Sequence, residues 1–281
     1  MLNTVDIQLL SKDLLKNLSI FQDAKEDVYT SFVSGSLFEG FGNKLSDVDI
    51  FILCNKLPEK EDIKFKGTEY DYEAFIDSGE NLLLNIQINK ISFDIEFWDM
   101  EKIDNKLLEF FKGKHNPGYV PNLSKDEYDL FHRFKHGVPL FNNENFNSLR
   151  EKVDFRILGN NLIDESTRFY LVLMTDVQGA YASEDFVSSY FMARILLETV
   201  LPAYLVLKGE TNPKPKWLYR KVLRYSQETD NPEFLNKYLS FYNVDLTCVD
   251  NTKNKIREIM AFCQQLNIEI QHACLEANIN E

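Results

Sequence analysis

The stretch VSGSLFEGFGNKLSDVDIFILC, Val33 to Cys54, joins a glycine-serine turn to two aspartates, Asp47 and Asp49, at the entrance of an apolar run. Side chains alternate along an extended chain, so Asp47 and Asp49 point to the same side, and Ile50 to Cys54 continue as a strand buried on both faces. The carboxylates therefore sit on the rim of a sheet. Gly35 and Ser36 end the strand before them. A backbone turning sharply there presents N–H groups and a hydroxyl to an anion, the more so if Leu37 to Phe41 begin a short helix. This phosphate seat is not a Walker loop, because Gly35 and Gly40 are followed by Phe41 in place of lysine; Gly40-Phe41-Gly42 lacks the third glycine of a dinucleotide loop.

Paired carboxylates repel one another unless a positive charge lies between them, and Mg2+ held by carboxylates and substrate phosphates suits the pattern. A third ligand comes from ISFDIEFWD, Ile91 to Asp99, in which Ser92, Asp94 and Glu96 share one face and Phe93, Ile95 and Phe97 the other. Asp94 is the candidate to complete the set and to attract a proton from an acceptor.

Gly35-Ser36, ten intervening residues, Asp47-Val48-Asp49-Ile50 and a later strand-borne Asp94 resemble the signature of the DNA polymerase beta-type nucleotidyltransferase superfamily. The resemblance covers roughly the first hundred residues. The remainder is more loosely similar to the helical bundles of bacterial small-molecule nucleotidyltransferases such as the aminoglycoside-modifying enzymes. It implies Mg2+-dependent transfer of a nucleoside monophosphate from an NTP, with ATP the expected donor, to an acceptor hydroxyl, releasing pyrophosphate. By the same resemblance the Gly35 backbone and Ser36 hold the triphosphate, Asp47 and Asp49 bridge two Mg2+ ions (Mn2+ being an alternative), and Asp94 completes the acceptor-side metal.

Outward from this stretch, short apolar or alternating runs dominate up to about residue 100: VYTSFVSG, VDIFILC, YDYEAFI, LLLNIQI and ISFDIEFW read as strands after a leading helix in DIQLLSKDLLKNL. Beyond it the apolar period is helical. Helices are predicted over Met100 to Lys112, Ser124 to Gly137, Glu144 to Met174, Glu184 to Lys208, Lys216 to Glu228, Pro232 to Tyr242 and Asn251 to Ala277. GKHNPGYVPN, Gly113 to Asn122, carries two prolines and two glycines and reads as the linker. The expected fold class is α+β: a small mixed-sheet nucleotidyltransferase domain with flanking helices over residues 1–115, then an all-helical domain over residues 124–281 that closes the substrate cleft.

The second domain has its own candidates for phosphate contact. Lys208, Lys214, Lys216, Arg220, Lys221 and Arg224 gather in an otherwise acidic chain, and Lys216, after a proline-stiffened loop, is the first choice for the β or γ phosphate. Arg194 lies in the apolar run SSYFMARILLETVLPAYLVL and requires a partner, either Glu198 one turn on or a ligand phosphate.

Bulk properties narrow the partners. A formal charge of -13 gives no general attraction for nucleic acid or anionic lipid, and points instead to a small, cationic acceptor such as an antibiotic. The N-terminus lacks a signal-peptide pattern and no run reaches the length of a membrane span, so a cytoplasmic enzyme without membrane contact is expected. Cys54, Cys248, Cys263 and Cys274 read as reduced core thiols, and His132 and His136, without the glutamate of a zinc-protease motif, as surface residues. Two other functions compete with small-molecule modification: nucleotidyl transfer to a protein or RNA, and a non-catalytic module that keeps the fold for binding.

Overall fold

The computed structural model describes residues 3–66, 72–114, 116 and 118–279, and the chain divides into two units. The first comprises Met1–Phe111 with Asn122–Val153, the second Lys112–Pro121 with Asp154–Glu281.

The first unit is a six-stranded mixed sheet with helices on both faces. Its strands are β1 (Val28–Ser34), β2 (Val48–Cys54), β3 (Tyr72–Asp77), β4 (Asn81–Ile88), β5 (Ile91–Asp99) and β6 (Val138–Phe141), in the order β3-β4-β5-β2-β1-β6. Only β2 and β5 run parallel; the other neighbours are antiparallel. The central position of β2 explains its composition, since Ile50, Phe51, Ile52 and Leu53 are all buried and both of its edges are paired. β4 and β5 form a hairpin through Asn89 and Lys90, both with positive φ, as a two-residue turn that follows the twist of the strands requires.

Alternation assigns the two faces. Val48, Ile50, Ile52, Phe93, Ile95 and Phe97 pack against α1 (Thr4–Asn17), which begins with an Asn3–Asp6 capping box and supplies Ile7, Leu14 and Leu15. The opposite face carries Phe32 and Phe51, whose rings lie 4.9 Å apart. Phe32 also meets Phe134 of α4 (Lys125–His136) at 4.9 Å and Phe146 of α5 (Asn143–Lys152) at 5.0 Å. Between the two β1-facing helices and the leading helix the chain also forms α2 (Ser19–Asp23) and α3 (Met100–Gly113).

These contacts move the domain boundary. Residues 122–153 belong with the sheet, because β6 completes its edge and α4 and α5 cover the Phe32 face, so the division expected at residues 115–124 falls instead after α5. The predicted linker does not join two consecutive domains: its residues 113–121 group with the second unit, where Tyr119 O accepts a hydrogen bond from Asn160 Nδ2 at 2.7 Å. His115 and Pro117 of that stretch, and Tyr70 and Asp71 of the third predicted strand, lie outside the described residues.

The second unit is helical, with α6 (Phe155–Ala182), α7 (Phe186–Val206), α8 (Leu218–Glu228), α9 (Pro232–Ser240) and α10 (Val249–Ile279). The helix predicted over Glu144 to Met174 breaks at Val153. Asp154 caps a new helix there by accepting from the N–H groups of Arg156 at 2.9 Å and Ile157 at 3.3 Å. α7 is long and apolar enough to cross a membrane, contrary to the expectation that no segment is. It packs as the central core helix, with Ala193, Leu196, Leu197, Val200 and Leu201 wholly buried and α6 and α10 beside it. Cys54 and Cys263 are buried thiols as expected, whereas Cys248, just before α10, is exposed.

Candidate functional site

The Gly35–Ser36 turn and the three aspartates belong to neighbouring elements of the first unit. Gly35 leaves β1 with φ +93°, a conformation that costs other residues about 1–2 kcal/mol. Its carbonyl accepts from the N–H of Phe38 at 3.0 Å and of Glu39 at 3.1 Å; the Ser36 carbonyl accepts from Phe41 and Gly42, both at 2.8 Å. The segment after Ser36 is thus a run of tight turns and not the short helix expected over Leu37 to Phe41. Asn43 and Ser46 brace the approach to Asp47: the Asn43 N–H donates to Ser46 Oγ and the Leu45 N–H to Asn43 Oδ1, each at 2.8 Å.

Asp49 stands opposite Ser34 on one side and Asp94 on the other in the ladders of β1 and β5. Asp94 is in turn opposite Asn85, whose Nδ2 donates to Asp94 Oδ1 at 2.6 Å. Asp49, Asp94 and Glu96 therefore share the face that α4 covers, and Asp47, at the entrance to β2, is exposed. Burial pushes the Asp49 carboxyl up to about 7; Arg133 opposes this and Asp94, Asp129 and Asp47 add to it. Asp94 is also raised, by burial first and by Asp47, against the hydrogen bond from Asn85. Glu96 reaches about 7, again chiefly by burial, although Trp98 Nε1 donates to it at 2.8 Å and Asn81 Nδ2 at 2.9 Å.

A second set of titratable groups faces these carboxylates from α4 and from the turns after Ser36. His132 is wholly buried and not a surface residue, with Nε2 3.0 Å from Glu39 Oε1. Arg133, only 11% exposed in its side chain, lies 3.8 Å from Glu39 and 3.2 Å from Asp129. Burial works against its charged form, but Asp129, Asp49, Glu39 and Glu96 together hold its pKa above the ordinary arginine value. Ser34 Oγ donates to the Arg133 carbonyl at 2.9 Å, so side chain and backbone both tie α4 to the end of β1. Glu39 comes four residues after the turn glycine and Arg133 ends an amphipathic helix; neither pattern by itself distinguishes a buried ion cluster from a solvated one.

The donor set of Asp47, Asp49 and Asp94 is all carboxylate oxygen, which fits a hard cation such as Mg2+ in chemistry. In position it is more open: among the described residues no three side chains of His, Cys, Asp or Glu converge closely enough to hold a metal ion.

The remaining candidates lie in the second unit. Arg194 takes the Glu198 partner, at 3.2 Å, and its guanidinium lies 4.6 Å from the centre of the Tyr242 ring. Lys216 is exposed and sits over the Trp217 ring at 5.3 Å. Much of the surrounding basic segment is structural: Lys221 is buried and donates to the Asn212 carbonyl at 2.8 Å, and Arg224 is paired with Glu210.

No protein-family model matches the sequence, and no curated protein is significantly similar to it. Among solved structures the chain is similar to a nucleotidyltransferase-like protein from Exiguobacterium sibiricum 255-15, with 10% identity, a TM-score of 0.47, and 95% of this chain and 78% of that one covered. The functional reading below rests on the residues of this chain.

Proposed function

We propose that this protein is a Mg2+-dependent nucleotidyltransferase that moves a nucleoside monophosphate, AMP from ATP, to a hydroxyl of a small acceptor and releases pyrophosphate. The observation that carries the reading is the pairing of Asp49 with Asp94 on one face of adjacent parallel strands, beside a turn at Gly35 and Ser36. Asp49 and Asp94, opposite one another in the β2–β5 ladder, are the residues that would hold the metal, with Asp47 joining them only if the entrance to β2 moves inward; a metal bound there would lower the pKa of the attacking hydroxyl and offset charge on the phosphoryl group. The backbone of the turn at Gly35 and the Ser36 hydroxyl would hold phosphate oxygens. Asp94, opposite Asp49 in the parallel ladder, is the carboxylate placed to accept the hydroxyl proton.

One observation favours a second reading. Arg133 stands among Glu39, Asp129, Asp49 and Glu96 as an internal counter-charge, the arrangement expected of a sheet that keeps these carboxylates for a binding role without catalysis. Incubation with Mg2+, each labelled NTP and a panel of small hydroxylated acceptors, tRNA and protein extract separates the two. Pyrophosphate release that depends on Mg2+ and disappears in Asp47→Asn supports transfer. In parallel, Mg·ATP at a hundredfold over its Kd should stabilise the fold by about 2.7 kcal/mol, and EDTA should remove most of that gain. No transfer to any acceptor, with a melting shift indifferent to EDTA, would leave the non-catalytic module.

A further inference from the structure

The Gly35–Ser36 turn has no helix behind it, so its place is fixed from elsewhere in the first unit. Gly35 lies against the Asp49 carboxylate, and any shift of the turn moves the phosphate seat relative to that carboxylate. Among the described residues the N–H groups of Phe38, Glu39, Phe41 and Gly42 donate to the carbonyls of Gly35 and Ser36, whereas those of Ser36 and Leu37 have no protein acceptor. Two such donors beside the Ser36 hydroxyl can meet a phosphate oxygen, at full strength only if the loop that carries them is already in place.

Helix α4 holds this loop at two points. Ahead of the turn, Ser34 Oγ donates to the Arg133 carbonyl at 2.9 Å, and Ser34 is the ladder partner of Asp49. Behind it, Glu39 turns its carboxylate to the same helix, with Oε1 3.0 Å from His132 Nε2 and 3.8 Å from Arg133 Nη1. The side chains of Glu39 and His132 are each 1% exposed, so salt screens the contact little. The Glu39 N–H also donates to the Gly35 carbonyl at 3.1 Å, which joins the buried carboxylate directly to the turn. His132 stands 93 residues along the chain from Glu39, beyond the stretch that carries the aspartate signature. An apolar residue would dock a loop on a helix without the penalty of burying a carboxylate. What the buried hydrogen bond adds is a fixed direction.

We propose that Glu39 and His132 form a clasp that positions the Gly35–Ser36 turn for the triphosphate of the donor, with Ser34 as its forward anchor. This rests on the nucleotidyl-transfer reading. Glu39 is a positioning residue: it acts by holding the Ser36 and Leu37 N–H groups in one arrangement and not by touching the nucleotide. Truncating it therefore weakens ATP binding even in protein that remains folded.

The test is a calorimetric titration of a non-hydrolysable ATP analogue with Mg2+ into wild type, Glu39→Ala, Glu39→Gln, His132→Ala, Ser34→Ala and the Glu39→Ala/His132→Ala double variant. Glu39→Ala should bind at least ~10-fold more weakly, and Glu39→Gln, whose amide still hydrogen-bonds the imidazole, should regain most of that loss. The double variant should be no weaker than the weaker single one, since either truncation opens the same clasp. The backbone amide resonances of Ser36 and Leu37 should differ from wild type in Glu39→Ala before any ligand is added. Ser34→Ala, the mildest change, should weaken binding by roughly threefold. Wild-type affinity in Glu39→Ala, additive losses in the double variant, or a Glu39→Gln as weak as Glu39→Ala overturns the proposal. Wild-type affinity in Ser34→Ala overturns it even if both truncations fail to fold. Glu39-dependent binding in a protein that transfers to no acceptor overturns the transfer reading and leaves the clasp standing. Transfer with an unchanged KM for ATP in Glu39→Ala does the reverse, and no binding of the analogue to wild type overturns both.

Discussion

Gly35 and Asp49 occupy touching space: a β-carbon built on Gly35 would lie 1.8 Å from Asp49 Oδ2 and 2.7 Å from its carboxyl carbon. The turn and the central carboxylate are therefore one unit, and the glycine is needed twice, for its φ of +93° and for the room it leaves.

Gly35→Ala should consequently cost more than a comparable change nearby. Gly40 has φ +75° with open space around its missing side chain, so Gly40→Ala pays the backbone part alone, about 1–2 kcal/mol. Gly35→Ala adds the displacement of Asp49 and should lose at least a further ~1 kcal/mol in urea denaturation, the scale of an overpacked core. Equal losses for the two variants would mean that Asp49 moves aside freely.

Asp47→Asn and Asp49→Asn remove one ligand charge each while nearly keeping shape, so nucleotidyl transfer should fall by at least ~100-fold with folding intact. Asp49→Asn should also melt higher than wild type in EDTA, since burial and the neighbouring Asp94, Asp129 and Asp47 all disfavour its charge. Retained transfer in either variant removes that residue from the reacting site, and a lower melting point would show that Arg133 outweighs the repulsion.

The strands that build this site are legible because burial is written into them: β2 coincides with the apolar run VDIFILC, and the period of two in β5 places Asp94 and Glu96 on one face. β6 is not legible. VPLF is four residues long with a proline, which only an edge strand accepts, and its identity comes from pairing with β1 more than a hundred residues earlier. The burial of His132 and Arg133 fails for the same reason. A helix of alternating charge reads as solvated until a distant Glu39 and a sheet face of carboxylates are brought against it, and local periodicity contains nothing about that approach.

Arg133 offers the direct check on that cluster. Arg133→Met removes the guanidinium charge from beside the buried Glu39 and Asp129 and should destabilise the protein by about 3–5 kcal/mol. Adding Glu39→Gln and Asp129→Asn to the same protein should recover a substantial part of the loss, as measured by urea unfolding. A triple variant no more stable than Arg133→Met would show that the arginine acts through packing of its stem and not through its charge.

The second unit provides a pH test independent of any ligand. Glu210 is almost fully buried; its Oε1 accepts from the N–H groups of Thr211 and Asn212, each at 2.8 Å, and its carboxylate pairs with Arg224. Burial raises its pKa, but Arg224, the Asn212 N–H and Lys221 together bring it below the ordinary glutamate value. An acid whose folded pKa is lowered contributes stability that is present above its unfolded pKa, about 4.3, and lost as pH falls through the folded one. Glu210→Gln should therefore be less stable than wild type at pH 7 by roughly 2–3 kcal/mol, since it leaves Arg224 with a neutral partner. The gap should narrow as the pH is taken from 6 toward 3, because wild type then protonates the same group. Urea unfolding of both proteins across that range reads the difference directly. A gap that stays constant with pH would assign the contribution of Glu210 to its hydrogen bonds and packing instead of its charge.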